Sequence, residues 1–156
     1  YRRQRQMCIR DRCLVDLELT GEPAPGWQVS ASYNYSSTED AVGERIRTTF
    51  PRQMAKLWTS YRLPGAWHRL TLGGGVNWQD RIYFTANSSG LSLLGQQKAY
   101  AVASLMARYE FSRQLSATLN IHNLFDKKYL QGLDNTFYTG TYAPTRNANL
   151  NLKYQF

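Results

Sequence analysis

The chain has few of the residues on which cross-linked or catalytic domains rely. Its 156 residues include two cysteines, two histidines and no apolar run approaching the roughly 18 residues of a spanning helix. Cys8 and Cys13 lie in or beside the first dozen residues, so the rest of the chain has neither a disulfide framework nor a cysteine metal site. His68 and His122 lie on different predicted strands without a nearby carboxylate pair. We therefore predict no catalytic residue, no metal site and no cofactor.

Apolar residues and charge are also modest. Only 42% of the residues are hydrophobic and the mean hydropathy is −0.53, values typical of a soluble protein. The net charge is +8, but residues 1–12 contain five arginines and one aspartate and so supply +4 of it. The remaining charge is too small and too dispersed for a nucleic-acid-binding face. The segment 73–75 is three glycines without the Lys-Ser/Thr of a phosphate loop, and we expect it to allow a bend or a close approach mid-strand.

The last nine residues have a pattern that these overall values do not reveal. In residues 148–156 apolar and polar side chains alternate, and alternate side chains of a strand point to opposite faces of a sheet. The apolar set ends on Phe156, as the last strand of an outer-membrane barrel often does. A soluble sandwich usually continues with a turn and a partner strand.

The same alternation predicts seven strands. Most reach the roughly 9–11 residues that a tilted strand needs to cross a bilayer, whereas soluble strands more often run about 5–6 residues. No charge falls on an apolar face between the strand ends, as a barrel with lipid outside and water inside requires. The predicted strands are 14–20, 27–36, 53–63, 68–84, 97–111, 114–124 and 145–156.

The connections alternate in length as well. Short links are expected at 21–26, 64–67 and 112–113, and long links at 37–52, 85–96 and 126–144. Outer-membrane barrels have short periplasmic turns and longer external loops, so the carboxyl terminus is predicted on the periplasmic side. One aromatic girdle would lie near that boundary and include Trp27 and Tyr61; Tyr35 and Trp78 would lie near the other. The sequence thus predicts an all-β, transmembrane antiparallel β-barrel in the bacterial outer membrane, with a soluble β-sandwich as the alternative.

Residues 1–12 do not share the pattern. They have no usable periodicity and lack the apolar core of a signal peptide. The segment resembles translated sequencing-adapter read-through, and we expect it to be non-native. The alternative is a basic arm that binds nucleic acid or anionic lipid. Residues 13–156 are expected to form the biological part of the chain.

Several motifs resemble those of TonB-dependent outer-membrane receptors. Residues 123–129 read Asn-Leu-Phe-Asp-Lys-Lys-Tyr, which is similar to a signature near the end of these receptors. Residues 59–65 and 72–79 are similar to the hydroxamate-type ferric-siderophore receptors. Residues 143–147 resemble their Pro-Arg-Asn approach to the final strand, with Thr145 inserted. The resemblance covers about residues 14–156.

This resemblance implies a barrel of about 22 strands closed by an amino-terminal plug. The chain would be its last seven strands without the plug, and alone it would be inactive. The intact receptor would bind a ferric siderophore and import it when the TonB complex pulls on the plug. It would not be an enzyme, and iron would enter only as the chelate. Membrane lipid would surround the barrel, and Phe156 would guide the barrel assembly machinery.

The resemblance also implies where ligand and plug meet the wall. Aromatic and cationic side chains can hold planar or anionic chelates, so the candidate ligand contacts are Phe137, Tyr138, Tyr142, Lys56 and Trp58. Charges low on the wall are expected to form plug-facing ion pairs, and these are Arg62, Arg69, Arg108 and Glu110. The alternative is that loop tyrosines only pack the loops. Two other function classes stay open: a general porin or another outer-membrane barrel, and a soluble β-domain that binds sugars or lipid.

Overall fold

The computed structural model describes residues 2–9, 12–39, 45–46, 48–88, 91–133 and 140–156. Within these residues the chain forms thirteen strands and one 3₁₀ turn, Gly65–Trp67. The strands are β1 (Arg2–Ile9), β2 (Arg12–Ala24), β3 (Trp27–Glu39), β4 (Arg45–Ile46), β5 (Gln53–Arg62), β6 (Leu70–Gln79), β7 (Ile82–Ser88), β8 (Leu91–Gln97), β9 (Tyr100–Glu110), β10 (Leu115–His122), β11 (Leu130–Gly132), β12 (Thr141–Tyr142) and β13 (Asn147–Tyr154).

One antiparallel sheet contains most of these strands. Its order is β1-β2-β3-β5-β6-β9-β10-β13, with β4 paired to the end of β3. The hairpins β7–β8 and β11–β12 form two small separate sheets inserted between consecutive long strands. The long strands therefore follow one another as a meander, which is the connectivity that an up-and-down barrel requires.

The strand register places the predicted apolar residues beside one another. One row runs through Trp27, Tyr61, Leu72, Ala107, Leu119 and Leu150. The adjacent polar row runs through Gln28, Ser60, Gly73, Met106, Asn120 and Asn149. Because a shift of one residue would turn every side chain to the other face, this register confirms the predicted faces. We call these surfaces the apolar face and the polar face.

The apolar face has no second layer over it. Among the described residues, the one hydrophobic side chain classed as buried is Ile82, whereas Leu72, Leu119, Leu150 and Leu152 are each at least 40% exposed. A soluble sandwich would bury such a face against another sheet, so the sandwich prediction finds no support in the described part of the chain. None of the described residues lies in a helix long and apolar enough to cross a membrane.

Polar groups on the apolar face are satisfied within the sheet. Thr59 shares this face with the leucines, and its hydroxyl accepts a hydrogen bond from Trp27 Nε1 at 2.8 Å. The same hydroxyl donates to the carbonyl oxygen of Gln28 at 3.2 Å. An unpaired hydroxyl in hydrocarbon would cost several kcal/mol, so these two bonds make a threonine acceptable on this surface.

Several predicted strand bounds and links need correction. The strand β2 continues to Ala24 through most of the predicted link 21–26, β4 lies within 37–52, and β11 and β12 lie within 126–144. The predicted strand 68–84 divides into β6 and β7 at residues 80–81. In the predicted strand 97–111, Gln97 belongs to β8 and β9 begins only at Tyr100. The long link at 85–96 is therefore wrong as a loop, because most of it pairs as the β7–β8 hairpin. Asp80 ends the long strand by donating its backbone N–H to the carbonyl of Gln53 at 2.9 Å. Because of this break, the β7–β8 hairpin forms a sheet separate from the main sheet.

The amino-terminal segment is not outside the sheet. Residues of β1 pair with β2 from Arg2 opposite Leu19 to Ile9 opposite Arg12. The segment lacks the side-chain alternation of the other strands, yet the backbone of β1 pairs along β2. The edge of β2 presents unpaired N–H and C=O groups, which accept an adjacent extended segment whatever its side chains. The non-native origin of residues 1–12 stays a prediction.

Candidate functional site on the polar face

The polar face has two unlike ends. We call the end with the short connections the turn end; it contains the tight turn at Gly26 and the 3₁₀ turn Gly65–Trp67. The opposite end, which contains β4, β7–β8 and β11–β12, is the loop end. Between them the face is lined by serine, threonine, asparagine and a few large side chains, so each level can be described separately.

Charged side chains gather at the turn end. Glu110 Oε1 lies 3.1 Å from Arg62 Nη2 and 3.3 Å from Arg108 Nη2. Arg69 Nη1 donates a hydrogen bond to the backbone oxygen of Phe111 at 3.1 Å. The four residues predicted to face the plug thus lie close together, with three positive charges and one negative charge, and their contact with a plug stays a prediction.

These ion pairs add little to stability. The side chains of Arg62 and Arg108 are 54% and 46% exposed, and that of Glu110 is 31% exposed. Exposed pairs of this kind contribute about 0.2–1 kcal/mol. The cluster is better understood as a surface that presents positive charge to whatever lies against it than as a brace of the sheet.

Glycines make room for large side chains in the middle of the face. A Cβ on Gly75 would stand 2.5 Å from Trp58 Cε3 and 2.5 Å from the carbonyl oxygen of Leu57. A Cβ on Gly73 would stand 3.0 Å from Met106 Cε. The glycines therefore do allow a close approach, and the approaching side chains are Trp58 and Met106 of neighbouring strands.

The signature segment 123–129 is a hydrogen-bonded clamp. Asn123 is 4% exposed, and its Nδ2 donates to the carbonyls of Lys127 at 2.9 Å and Pro144 at 3.2 Å. Its Oδ1 accepts from the Lys127 N–H at 2.8 Å. Asp126 Oδ1 accepts from the Arg146 N–H at 2.8 Å. We call these contacts the Asn123 clamp; they join the end of β10 to the start of β13.

The backbone conformation explains the residue types in the clamp. Asn123 and Asp126 both have φ of 52°. This left-handed region is costly for most side chains, and asparagine and aspartate visit it most readily after glycine. The motif therefore needs short polar residues that tolerate positive φ and also satisfy nearby backbone groups.

A cavity of about 320 Å³ opens on the polar face at the loop end. Its walls include Lys56 and Asn77 from the long strands, His122, and residues of the Asn123 clamp. The rings of Tyr100 and Tyr129 also line it, with centroids 4.1 Å apart and an interplanar angle of 31°. The clamp and this ring pair together fix one side of the cavity.

Near this cavity, the guanidinium of Arg52 contacts the side chain of Tyr35. Arg52 Nε donates to Tyr35 Oη at 3.0 Å, and the guanidinium carbon lies 5.0 Å from the Tyr35 ring centroid. This hydrogen bond raises the pKa of Arg52 above its ordinary value. Arg52 thereby secures the predicted outer-girdle residue Tyr35.

The predicted ligand contacts fall into three groups. Lys56 lines the cavity, and Trp58 lies two residues further along β5, 37% exposed. Tyr142 is 74% exposed on β12, away from the cavity lining. Phe137 and Tyr138 lie outside the described residues. The structure thus brings Lys56 to the cavity and leaves its relation to the two loop aromatics as a prediction.

Sequence reasoning missed three side chains of the cavity. His122 was interpreted only as a lone polar residue, and Tyr100 and Tyr129 were given no role. Tyr129 closes the signature motif, which was the available signal; Tyr100 had none, because its partner lies 29 positions away. No three His, Cys, Asp or Glu side chains come together as metal ligands in the part of the chain that the structure describes.

The last strand presents aromatics at the turn end. Tyr154 is the final residue of β13, and its ring centroid lies 6.4 Å from that of Phe156, which is fully exposed. Tyr109 and Phe111 form a second pair at 4.9 Å with nearly perpendicular rings. These pairs lie where the predicted girdle requires them.

The chain is similar to known proteins in both sequence and fold. A family described as TonB dependent receptor-like, beta-barrel matches residues 15–124. The ferric-pyoverdine 358 receptor of Pseudomonas putida is 46% identical over 142 residues, which are 91% of this chain and 17% of that relative. The ferripyoverdine receptor of Pseudomonas aeruginosa is 36% identical over 144 residues, which are 90% of this chain and 17% of that relative.

Solved structures agree with the sequence relatives. The crystal structure of the ferripyoverdine receptor of the outer membrane of Pseudomonas aeruginosa, bound to ferripyoverdine, matches with a TM-score of 0.84 and 34% identity. That match covers 93% of this chain and 19% of that one. The chain thus spans less than a fifth of these relatives. The matches decide against the porin and the soluble β-domain, and the hydroxamate subclass stays a prediction. The antiparallel meander, its two faces and these matches confirm the predicted family: the chain belongs to the TonB-dependent receptor β-barrel family.

Proposed function

We propose that the full-length protein containing this chain is an outer-membrane receptor that imports a ferric siderophore with energy from the TonB complex. The observation that carries the proposal is the likeness of 93% of the chain to a receptor crystallised with ferripyoverdine, at a TM-score of 0.84. The sheet supports it physically, because the apolar face suits lipid and the polar face suits a wet lumen.

The ligand meets this part of the wall at the loop end. Lys56 and Trp58 face the lumen on β5, and Phe137, Tyr138 and Tyr142 belong to the region between β10 and β13. Aromatic faces and a cation together suit a planar or anionic chelate. The charged cluster of Arg62, Arg69, Arg108 and Glu110 faces the plug instead, since it lies at the opposite end.

The iron is cargo within its chelate and not a resident cofactor. No bond of the siderophore is made or broken by the wall, so the protein is a transporter and not an enzyme. Lipid covers the apolar face, and Phe156 is the feature that the barrel assembly machinery recognises. The siderophore is of hydroxamate type, or it is a pyoverdine like those for which the relatives are named.

Uptake measurements test the proposal. The complete receptor gene is placed in a bacterium that lacks its own siderophores and receptors, and cells are given radioiron as ferripyoverdine, a trihydroxamate chelate or a tricatecholate chelate. We expect uptake of one of the first two, which is lost when TonB is deleted. Uptake that persists without TonB, or no uptake of any chelate by cells with normal receptor levels, would contradict the proposal.

Exchange of one segment tests the ligand contacts. Residues 126–144 are replaced by the matching segment of a relative with a different preference, and the wild-type receptor at equal surface level is the control. We expect the ranking of ferric chelates to change, because this segment carries three of the candidate contacts. An unchanged ranking would remove Phe137, Tyr138 and Tyr142 from the site.

A further inference from the structure

The cavity at the loop end has one cation and no acid. Lys56 lines it together with Asn77, Gln79, Tyr100, His122 and Tyr129, and no aspartate or glutamate is among the lining residues. The wall therefore offers an ammonium and several hydrogen-bond donors without a counter-charge. Whatever fills this space desolvates the ammonium, which is costly unless the occupant supplies a negative charge.

The Lys56 ammonium is unpaired in the described part of the chain. Both ion pairs found there belong to Glu110, at the turn end of the sheet. Lys56 lies on β5, where its neighbours in the row are Ser32 on β3 and Asn77 on β6. Neither of these two neighbours carries charge. The row continues through Ser32 to Glu18 on β2, two strands away from Lys56, and the described residues form no ion pair between the two.

The cavity is shaped before anything binds. The Tyr100 and Tyr129 rings contact each other, and the adjacent Leu130 N–H donates to Gln97 Oε1 at 2.8 Å. Asn123 and Pro144 also line the cavity and are joined by the Asn123 clamp. A preorganised site loses less conformational entropy on binding than a mobile one.

Its size limits the occupant. At about 320 Å³ the cavity lies at the low end of small-molecule sites, which run from about 300 to 1,000 Å³. Lys56 and His122 lie on β5 and β10, three strand spacings apart, which is about 14 Å along the sheet. A single arm of a larger molecule fits this space, with its charge at Lys56 and its body near the tyrosines.

We propose that this cavity is an acceptor site for one carboxylate-bearing arm, held by Lys56 and packed against Tyr100 and Tyr129. The proposal deepens the function proposed above and rests on the chain being part of a receptor. Two sources can supply the carboxylate: an acidic side chain of the plug expected in the full-length protein, or the bound ferric chelate.

Carbodiimide cross-linking distinguishes the two sources. A water-soluble carbodiimide joins an amine to a contacting carboxylate as an amide. The purified full-length receptor is treated with it, with and without ferripyoverdine, and the peptide containing Lys56 is identified by mass spectrometry. A link to a plug carboxylate without chelate assigns the arm to the plug. A link formed only to the chelate assigns it to the ligand.

Substitution supplies the second readout. Lys56→Gln keeps a polar side chain, one atom shorter, without its charge, and Lys56→Arg keeps the charge. Lys153→Gln is the matched control at the turn end of β13. If the ligand supplies the arm, Lys56→Gln weakens ferripyoverdine binding about tenfold or more, since a charge-assisted hydrogen bond is lost. Lys56→Arg and Lys153→Gln stay within about threefold.

One combined outcome overturns the proposal. If Lys56 forms no link to plug or chelate, and Lys56→Gln binds ferripyoverdine as the wild type does, the cavity is not a carboxylate site. The family function would survive that result, because TonB-dependent uptake is measured on the wild-type receptor and not on a Lys56 variant. Conversely, a plug link to Lys56 would support the site even in a receptor that fails to import ferripyoverdine.

Discussion

Replacing Asn123 by alanine should destabilise the barrel more than any other single asparagine change on the described polar face. The residue is 4% exposed and makes three side-chain hydrogen bonds to the backbone at Lys127 and Pro144. Alanine removes all three bonds and keeps a Cβ at a backbone position with φ of 52°. The change therefore attacks both the hydrogen bonding and the conformation of the clamp.

The magnitude follows from these contacts. Each backbone group left without a partner costs about 1–3 kcal/mol, and the lower value applies where water can replace the amide. Lys127 and Pro144 are exposed, so three lost bonds amount to about 3 kcal/mol. Alanine in the left-handed region adds about 1 kcal/mol. We expect a loss of about 3–4 kcal/mol, which is large beside ordinary surface changes of about 0.5 kcal/mol.

The assay compares three variants of the full-length receptor in detergent. Asn147→Ala is the matched control, because Asn147 is exposed and donates one local bond to Thr145 O at 3.0 Å. Asn123→Gly removes the same bonds as Asn123→Ala without the Cβ. The denaturant midpoint of the folded barrel is followed by tryptophan fluorescence. Equal midpoints for Asn123→Ala and Asn147→Ala would refute the reasoning, and a wild-type midpoint for Asn123→Gly would show that backbone conformation matters and the bonds do not.

Three further predictions concern the glycines, the two faces and the carboxyl terminus. Gly75→Ala should lower the free energy of unfolding by about 1–3 kcal/mol and shift the fluorescence emission of Trp58, because the added Cβ lies 2.5 Å from that ring. Gly21→Ala is the control, since a Cβ there has nothing within 4 Å. Equal stability of the two variants would contradict this prediction. Leu119→Arg on the apolar face should cost about 2–4 kcal/mol of folding free energy in lipid, and Asn120→Arg on the polar face much less; equal folded yields would reverse the assigned faces. Removal of Phe156 should lower outer-membrane yield in cells, and an unchanged yield would show that assembly does not use it.

The faces and register of the long strands could be predicted because they depend on a local pattern. Leu72 and Leu119 are apolar, their neighbours in sequence are small or polar, and lipid imposes this alternation on every crossing strand. The pattern carries no such information beyond the membrane. Residues 85–96 were therefore interpreted as a loop, although the structure pairs them as a hairpin.

The charged cluster was predictable for the same reason, since Arg62, Arg108 and Glu110 share the parity of the polar face. The Asn123 clamp was not, because its hydrogen bond to Pro144 joins residues 21 positions apart. The motif at 123–129 indicated a family and gave no reason for its residue types. The reason is that two backbone positions have φ of 52°, and the sequence alone does not indicate these angles.

The apolar and polar faces have different roles, and this difference explains which residues can determine ligand specificity. Ile82 is the one buried hydrophobic side chain among the described residues, and the hydrogen-bonded ladder joins the strands of the sheet. In lipid that ladder is enforced, because an unpaired backbone group costs several kcal/mol there. The side chains of the polar face therefore do not have to form a hydrophobic core. Side chains such as Lys56 and Tyr100 can therefore change to suit a different occupant at little cost in folding, provided that the Asn123 clamp and the glycines beneath Trp58 and Met106 are kept.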